Sequence, residues 1–119
     1  MAELEDDAEG EVEPTGPMEV ARQLHLVRQQ LKDEDPSDYD SLPDRERDDL
    51  LFVGGRIVQW TNVNALAHRD VLGRKIHEFT RLRQGNLAPW EELSAEDQQL
   101  GRDVADNIAD WLSQQGAWQ

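Results

Sequence analysis

The chain has 119 residues, enough for one compact domain, and its lack of cysteine excludes a disulfide framework and a thiolate metal site. Its 26 acidic residues outnumber its 12 basic residues, and the formal net charge of -14 argues against direct binding to nucleic acid. No apolar run approaches the roughly 18 residues that span a bilayer, so no membrane partner is expected. Because no signal-peptide pattern and no cysteine are present, the sequence favours a cytoplasmic location.

Residues 1–16 are predicted to form a disordered acidic tail. Eight acids and no base occur between residues 1 and 19, and Gly10, Pro14 and Gly16 interrupt a stretch with almost no large apolar side chain. Such a segment buries too little apolar surface to offset the entropy lost on ordering. The fold is therefore expected to start near residue 17 and to form a single helical domain over residues 17–115.

An internal repeat organises that domain. Residues 20–61 align with residues 72–112 with one single-residue gap, at an offset of 52 before the gap and 51 after it. The informative matches are an Arg-x-Leu/Ile-His motif, an aromatic residue three positions before a leucine, and a tryptophan 21 positions after that aromatic. Since apolar periodicity alone would align any two helical hairpins, these rarer matches indicate a duplicated helix–loop–helix unit. Repeat 1 covers about 17–61 and repeat 2 about 64–115.

Each copy carries two apolar stripes with the spacing of a helix that buries one face. One hairpin alone cannot cover its own stripe. We therefore expect an all-α fold in which the two helix–loop–helix repeats pack about a pseudo-twofold axis as a four-helix arrangement. The stripe residues are Val20, Leu24, Val27 and Leu31; Leu50, Val53, Ile57 and Trp60; Leu72, Ile76, Phe79 and Leu82; and Leu100, Val104, Ile108 and Trp111.

Helix boundaries are signalled by capping residues. Pro17 suits the first turn of the first helix, where its missing N–H costs little. Ser94 and Asp97 have capping-box spacing and predict the start of the fourth helix. Asn62 or Asn64 is predicted to cap the third helix.

The second copy carries four short motifs: RKIHE at 74–78, APWEEL at 88–93, a basic residue at Arg102, and NIA at 107–109. In these motifs the chain resembles the RyR domain, a small helical repeat named after ryanodine receptors and also present in bacterial and phage proteins. The resemblance implies a compact helical module that binds ligands or proteins, present here as a tandem duplication. It implies no catalytic chemistry.

The first copy departs from that pattern. Leu26 stands at the position of Glu78, and Tyr39 stands at the position of Trp90. If a ligand site exists, we expect it to be asymmetric and centred on the second copy.

Six residues at matched positions are candidate ligand-binding residues. A guanidinium can hold a carboxylate or phosphate with its planar fork, an imidazole can donate to a ligand, and a connector aromatic can form a platform for a planar ligand. Each type also has a simpler structural role: an ion pair with a connector acid, a hydrogen bond that fixes the connector, or a hydrophobic plug of its own hairpin. The candidates are Arg22, His25, Tyr39, Arg74, His77 and Trp90.

Metal binding and catalysis are not predicted. The acidic run from Asp33 to Asp40 suggests calcium, but an EF-hand loop starting at Asp33 needs glycine where Asp38 stands and glutamate where Asp44 stands. The three histidines have no i, i+4 pairing and no cysteine nearby. No nucleophile elbow, glycine-rich phosphate loop or His-Glu-x-x-His motif occurs. We expect neither an enzyme nor a cofactor.

The sequence therefore predicts a non-catalytic binding module that recognises a small ligand in the groove between the two hairpins, with nucleotide-like ligands as first candidates. The alternative is an acidic protein-interaction or inhibitor module that binds a basic protein partner, including as a nucleic-acid mimic. A third option is an assembly role in which hairpins swap between chains, so monomer and homodimer both stay open. Trp118 has no counterpart in the other repeat, and it is either a docking residue or a loose chain end.

Overall fold

The computed structural model describes residues 15–35 and 37–119. These residues form four α-helices and three short 3-10 turns, and the described part of the chain contains no strand, which confirms the all-α class. The expected tail falls almost wholly on residues 1–14, which lie outside the described residues. The helices are α1 (Pro17–Lys32), α2 (Asp44–Val63), α3 (Leu72–Arg83) and α4 (Ala95–Gln114), and the 3-10 turns are Tyr39–Ser41, Leu66–Val71 and Trp90–Glu92.

The helices pack as two hairpins, the first formed by α1 and α2 and the second by α3 and α4. The hairpins meet through contacts of α1 with α4 and of α2 with α3. A single apolar core runs through both hairpins, so neither is an independent unit. None of the helices in the described ranges is both long enough and apolar enough to cross a membrane.

Most of the stripe residues lie in this core, but the last residue of two stripes does not. Leu31 is 38% exposed and Leu82 is 64% exposed. Both lie in the last turn of their helices, α1 and α3, just before the chain leaves the helix pair. The prediction that these two leucines are buried was therefore wrong.

The predicted caps are confirmed at two helix starts and wrong at a third. Pro17 is the first residue of α1, and the Ser94 hydroxyl accepts a hydrogen bond of 3.1 Å from the backbone N–H of Asp97 at the start of α4. Asn62 lies inside α2, and Asn64 ends that helix by donating from its side chain to the carbonyl of Trp60. The α2 helix is longer than its apolar stripe, so neither asparagine caps α3.

Two glycines allow the helices of each hairpin to approach closely. A β-carbon at Gly54 would lie 2.6 Å from the carbonyl oxygen of Pro17, and one at Gly73 would lie 3.1 Å from the carbonyl oxygen of Gly101. No larger residue fits at Gly54 without moving the backbone. This packing requirement explains why α2 tolerates a residue that weakens helices.

The C-terminus is packed against the domain and is not a loose end. Trp118 is 2% exposed, donates from Nε1 to the carbonyl of Asn64 and contacts Trp60 edge-to-face with the ring centroids 5.8 Å apart. The backbone N–H of Leu66 donates to the carbonyl of Gln119 over 3.1 Å. The folded chain therefore extends beyond residue 115 to its last residue.

Candidate functional site

In the first hairpin, three of the candidate residues secure the connector between α1 and α2. Arg22 makes two hydrogen bonds, of 3.0 and 3.2 Å, to the carboxylate of Asp40, and its guanidinium lies 5.1 Å from the centre of the Tyr39 ring. The hydrogen bonds that Arg22 donates to Asp40 raise the pKa of Arg22 above its ordinary value. Tyr39 is buried and its hydroxyl donates to the carbonyl of Arg47 over 2.9 Å. Both side chains are already occupied within the hairpin.

His25 belongs to the same connector. Its Nε2 lies 3.0 Å from the carbonyl oxygen of Ser37, to which it donates. The ring is half-buried and also lines the rim of a cavity described below. Its main contact is therefore structural.

The second hairpin repeats this arrangement. Arg74 pairs with Glu78 at 3.1 Å and with Glu91 of the connector. The hydrogen bond with Glu78 raises the pKa of Arg74. His77 Nε2 donates to the carbonyl of Ala88 over 2.6 Å. Arg74 thus has the ion-pair role that was the simpler alternative for it.

Trp90 differs from its counterpart Tyr39 because it is only half-buried. Its ring packs so closely on α4 that a β-carbon at Gly101 would lie 2.8 Å from it. The ring centroid lies 5.9 Å from that of His77, and the Arg102 guanidinium lies 5.9 Å from the ring centre. Part of the indole ring is left facing a cavity.

Two cavities lie between the hairpins. The first cavity, of about 220 Å³, lies between α1, α2 and α3 and includes His25, Asp49 and Arg83 in its lining. The second cavity, of about 440 Å³, lies between α1, α3 and α4 and includes His77 and Trp90. Both are partly open to solvent. The structure therefore brings two of the six candidate residues to the larger cavity, and Arg74 lines neither cavity.

The two cavities differ in polarity. In the first, Arg83 donates to the carboxylate of Asp49 over 3.0 Å, so an ion pair occupies the wall. In the second, Leu100 stands at the position that corresponds to Asp49, beside Ile76 and Leu87. The second cavity is thus larger and has an apolar wall suited to an organic ligand.

Arg28 was not among the candidates, yet it lines both cavities. Its Nη2 donates to the hydroxyl of Thr80 over 3.3 Å, and no carboxylate of the described residues lies within ion-pair distance. Burial lowers the pKa of Arg28 to about 10. The sequence did contain a signal, because Arg28 continues the i, i+4 row formed by Val20 and Leu24 and so faces inward.

The comparisons with protein-family models, with curated proteins and with solved structures find no match to this chain. The resemblance to the RyR domain therefore stays a prediction based on the motifs of the second copy. In the parts of the chain that the structure covers, no group of three or more histidine and carboxylate side chains is arranged to hold a metal ion.

Proposed function

We propose that this chain is a non-catalytic binding module that receives a small ligand in the second cavity. The observation that carries the proposal is the cavity of about 440 Å³, whose walls come from both hairpins and include the half-buried Trp90 ring. This volume lies within the range of small-molecule sites, and an apolar wall with a few polar groups is their usual composition. A planar, nucleotide-like ligand is the first candidate because Trp90 offers an aromatic surface.

The proposal includes a duplicated, pseudo-twofold arrangement. In its support, α2 and α4 are both 20 residues long and begin 51 positions apart. The contact of α1 with α4 has its counterpart in the contact of α3 with α2. The two cavities also share corresponding residues, such as His25 with His77 and Val53 with Val104. A twofold relation between hairpins predicts this pairing of cavities.

The proposal also keeps the RyR-type interpretation of the second copy. Of its motif residues, His77 and Trp90 lie on the wall of the second cavity. The alternative structural roles apply to Arg22 and Tyr39, which are occupied in their own hairpin. The site we propose is therefore asymmetric and uses the second copy.

A cytoplasmic location is part of the proposal, supported by the lack of cysteine.

Thermal-shift screening against nucleotides, cyclic nucleotides and nucleosides tests the proposal. A ligand that binds only the folded state raises the melting temperature in proportion to the logarithm of its concentration. Binding in the second cavity is also expected to change the fluorescence of Trp90. This change should be lost in Trp90→Phe.

Trp60→Phe is the matched control. Trp60 is also half-buried, but it contacts Trp118 and lines neither cavity. The ligand response should persist in this variant. If no compound raises the melting temperature up to millimolar concentration, or if Trp90→Phe responds like the unmodified chain, the proposal is wrong.

A second candidate function is an acidic surface for a basic protein partner. Four carboxylates of the connector after α1 are exposed, and none pairs with a basic side chain of the described residues: Asp33, Glu34, Asp35 and Asp38. A pull-down with a basic protein that is lost in high salt and in a variant with these four residues changed to Asn or Gln would support it. Binding that persists in both conditions would contradict it.

A further inference from the structure

Arg28 lies where the two cavities meet. It lines both of them, together with Lys32 of α1, Thr80 of α3 and Gln84, the residue that follows α3. The four residues form two pairs at the repeat offset, since Arg28 corresponds to Thr80 and Lys32 to Gln84. At this junction α1 therefore supplies two cations, while α3 and the residue after it supply two neutral hydrogen-bonding groups.

The guanidinium of Arg28 has unused donors. Its one hydrogen bond within the described part of the chain runs from Nη2 to Thr80 Oγ1 over 3.3 Å. The Thr80 hydroxyl itself donates to the carbonyl of Ile76 over 2.8 Å, so it is held in place to accept from Arg28. A guanidinium has five N–H donors, and the remaining donors of Arg28 are open to the cavities, because none of its nitrogens is both buried and unpaired.

The charge around the second cavity is opposite to that of the whole chain. Its lining contains the cations Arg28 and Lys32 but only one carboxylate, Asp97. The first cavity balances its cations with three carboxylates, and the chain carries a net charge of -14. A locally cationic wall in so acidic a protein selects for negative charge in whatever enters the cavity.

We propose that Arg28, assisted by Lys32, binds an anionic group of the ligand, a phosphate or a carboxylate, on the side of the second cavity that adjoins the first. The inference rests on the proposed function, because it assigns chemistry to the same cavity. A planar guanidinium fork matches either oxyanion, and Thr80 orients it. The ring of the ligand would then lie toward Trp90 and His77, which are 5.9 Å apart by their centroids.

The experiment follows the side-chain Nε–H resonance of Arg28 by NMR in the ¹⁵N-labelled full chain, assigned by its disappearance in Arg28→Met. Inorganic phosphate and acetate are added separately, against chloride at equal ionic strength. We expect a saturable shift of this resonance with at least one of the two anions. The responding anion tells a phosphate site from a carboxylate site.

The second arm compares AMP with adenosine, which has the same ring system without the phosphate. For a phosphate site, AMP should bind about 10–100-fold more tightly than adenosine, and Arg28→Met should remove that difference. Arg28→Lys keeps the charge without the fork and is expected to bind with intermediate affinity. Arg22→Met, on the same helix but ion-paired to Asp40, is the matched control and should bind like the unmodified chain.

The inference is overturned if neither anion moves the Arg28 resonance, or if Arg28→Met binds the anionic compound as tightly as the unmodified chain does. Equal binding of AMP and adenosine, together with a silent Arg28 resonance, would leave the proposed function standing without this inference. Failure of every ring-bearing compound to bind would instead count against the proposed function, and the Arg28 resonance would still report on phosphate.

Discussion

At the scale of single residues, the arginines divide according to what surrounds them. Arg22 and Arg74 are exposed and paired with connector carboxylates. Because solvent screens these ion pairs, they contribute little to the free energy of unfolding and mainly orient the connectors. Arg28 is half-buried, its pKa is lowered by burial, and it has no carboxylate partner among the described residues. A cation in such a place opposes folding unless something else compensates for it, which is typical of functional positions.

Arg28→Met is expected to raise the free energy of unfolding at neutral pH by about 1–2 kcal/mol, because an apolar side chain replaces a half-buried cation that has no carboxylate partner. The unfolded chain keeps the higher, ordinary pKa of arginine, whereas the folded pKa is about 10. The cost of the charge is therefore present in full below pH 10 and fades as the pH rises above that value. Urea unfolding near neutral pH measures the gain. Arg22→Met, which breaks an ion pair, should show none.

Tyr39 is the only tyrosine of the chain, so its titration can be followed directly. Burial raises the pKa of its hydroxyl above the ordinary value of 10.0. Tyrosinate absorbance should therefore appear at higher pH in the native protein than in denaturant. Because the unfolded chain loses this proton first, the contribution of Tyr39 to stability should fall as the pH rises past 10. Equal midpoints in both states would show that the ring is not desolvated.

At the scale of elements, the connectors and helix ends are determined by local chemistry. The backbone N–H of Gly16 donates to the Glu19 carboxylate over 3.1 Å at the start of α1, and Ser94 caps α4. Both histidines donate to a connector carbonyl, His25 to that of Ser37 and His77 to that of Ala88. Contacts over so few residues can be predicted from sequence because little chain has to be placed to form them.

The glycine pair in α2 gives a matched test of helix packing. Gly54→Ala should lower the free energy of unfolding by about 1–3 kcal/mol, because its β-carbon meets the backbone of α1. Gly55→Ala should raise it by about 0.5–1 kcal/mol, because alanine favours the helix and the nearest atoms to the new carbon are 3.8 Å away. Denaturant unfolding of both variants measures the difference. Effects of the same sign would contradict the close approach of α1 and α2.

At the scale of the whole molecule, the C-terminal residues join elements that are distant in sequence. Trp118 covers the junction between α2 and the 3-10 turn Leu66–Val71, while Gln119 accepts from Leu66. This contact links the end of the second hairpin to the chain that joins the hairpins. The stability of the domain therefore depends on residues that lie outside both helical hairpins.

Trp118→Ala is expected to lower the free energy of unfolding by about 3–5 kcal/mol, since a fully packed tryptophan is lost from the core. Leu82→Ala is the control, because Leu82 is 64% exposed and should change stability little. Denaturant unfolding followed by circular dichroism compares the two. A loss for Trp118→Ala no larger than that of the control would show that the C-terminus is not part of the fold.

The sequence by itself determined the helical class, the starts of α1 and α4 and most of the inward faces, because periodicity and caps act over a few residues. It also pointed to His77 and Trp90, two of the residues on the wall of the second cavity. Only the tertiary structure decided that Arg22 and Tyr39 are occupied by their own connector, that Trp118 is buried, and that Arg28 faces the space between the hairpins. The physical reason is that a cavity or an unpaired charge exists only relative to residues brought together from distant parts of the chain.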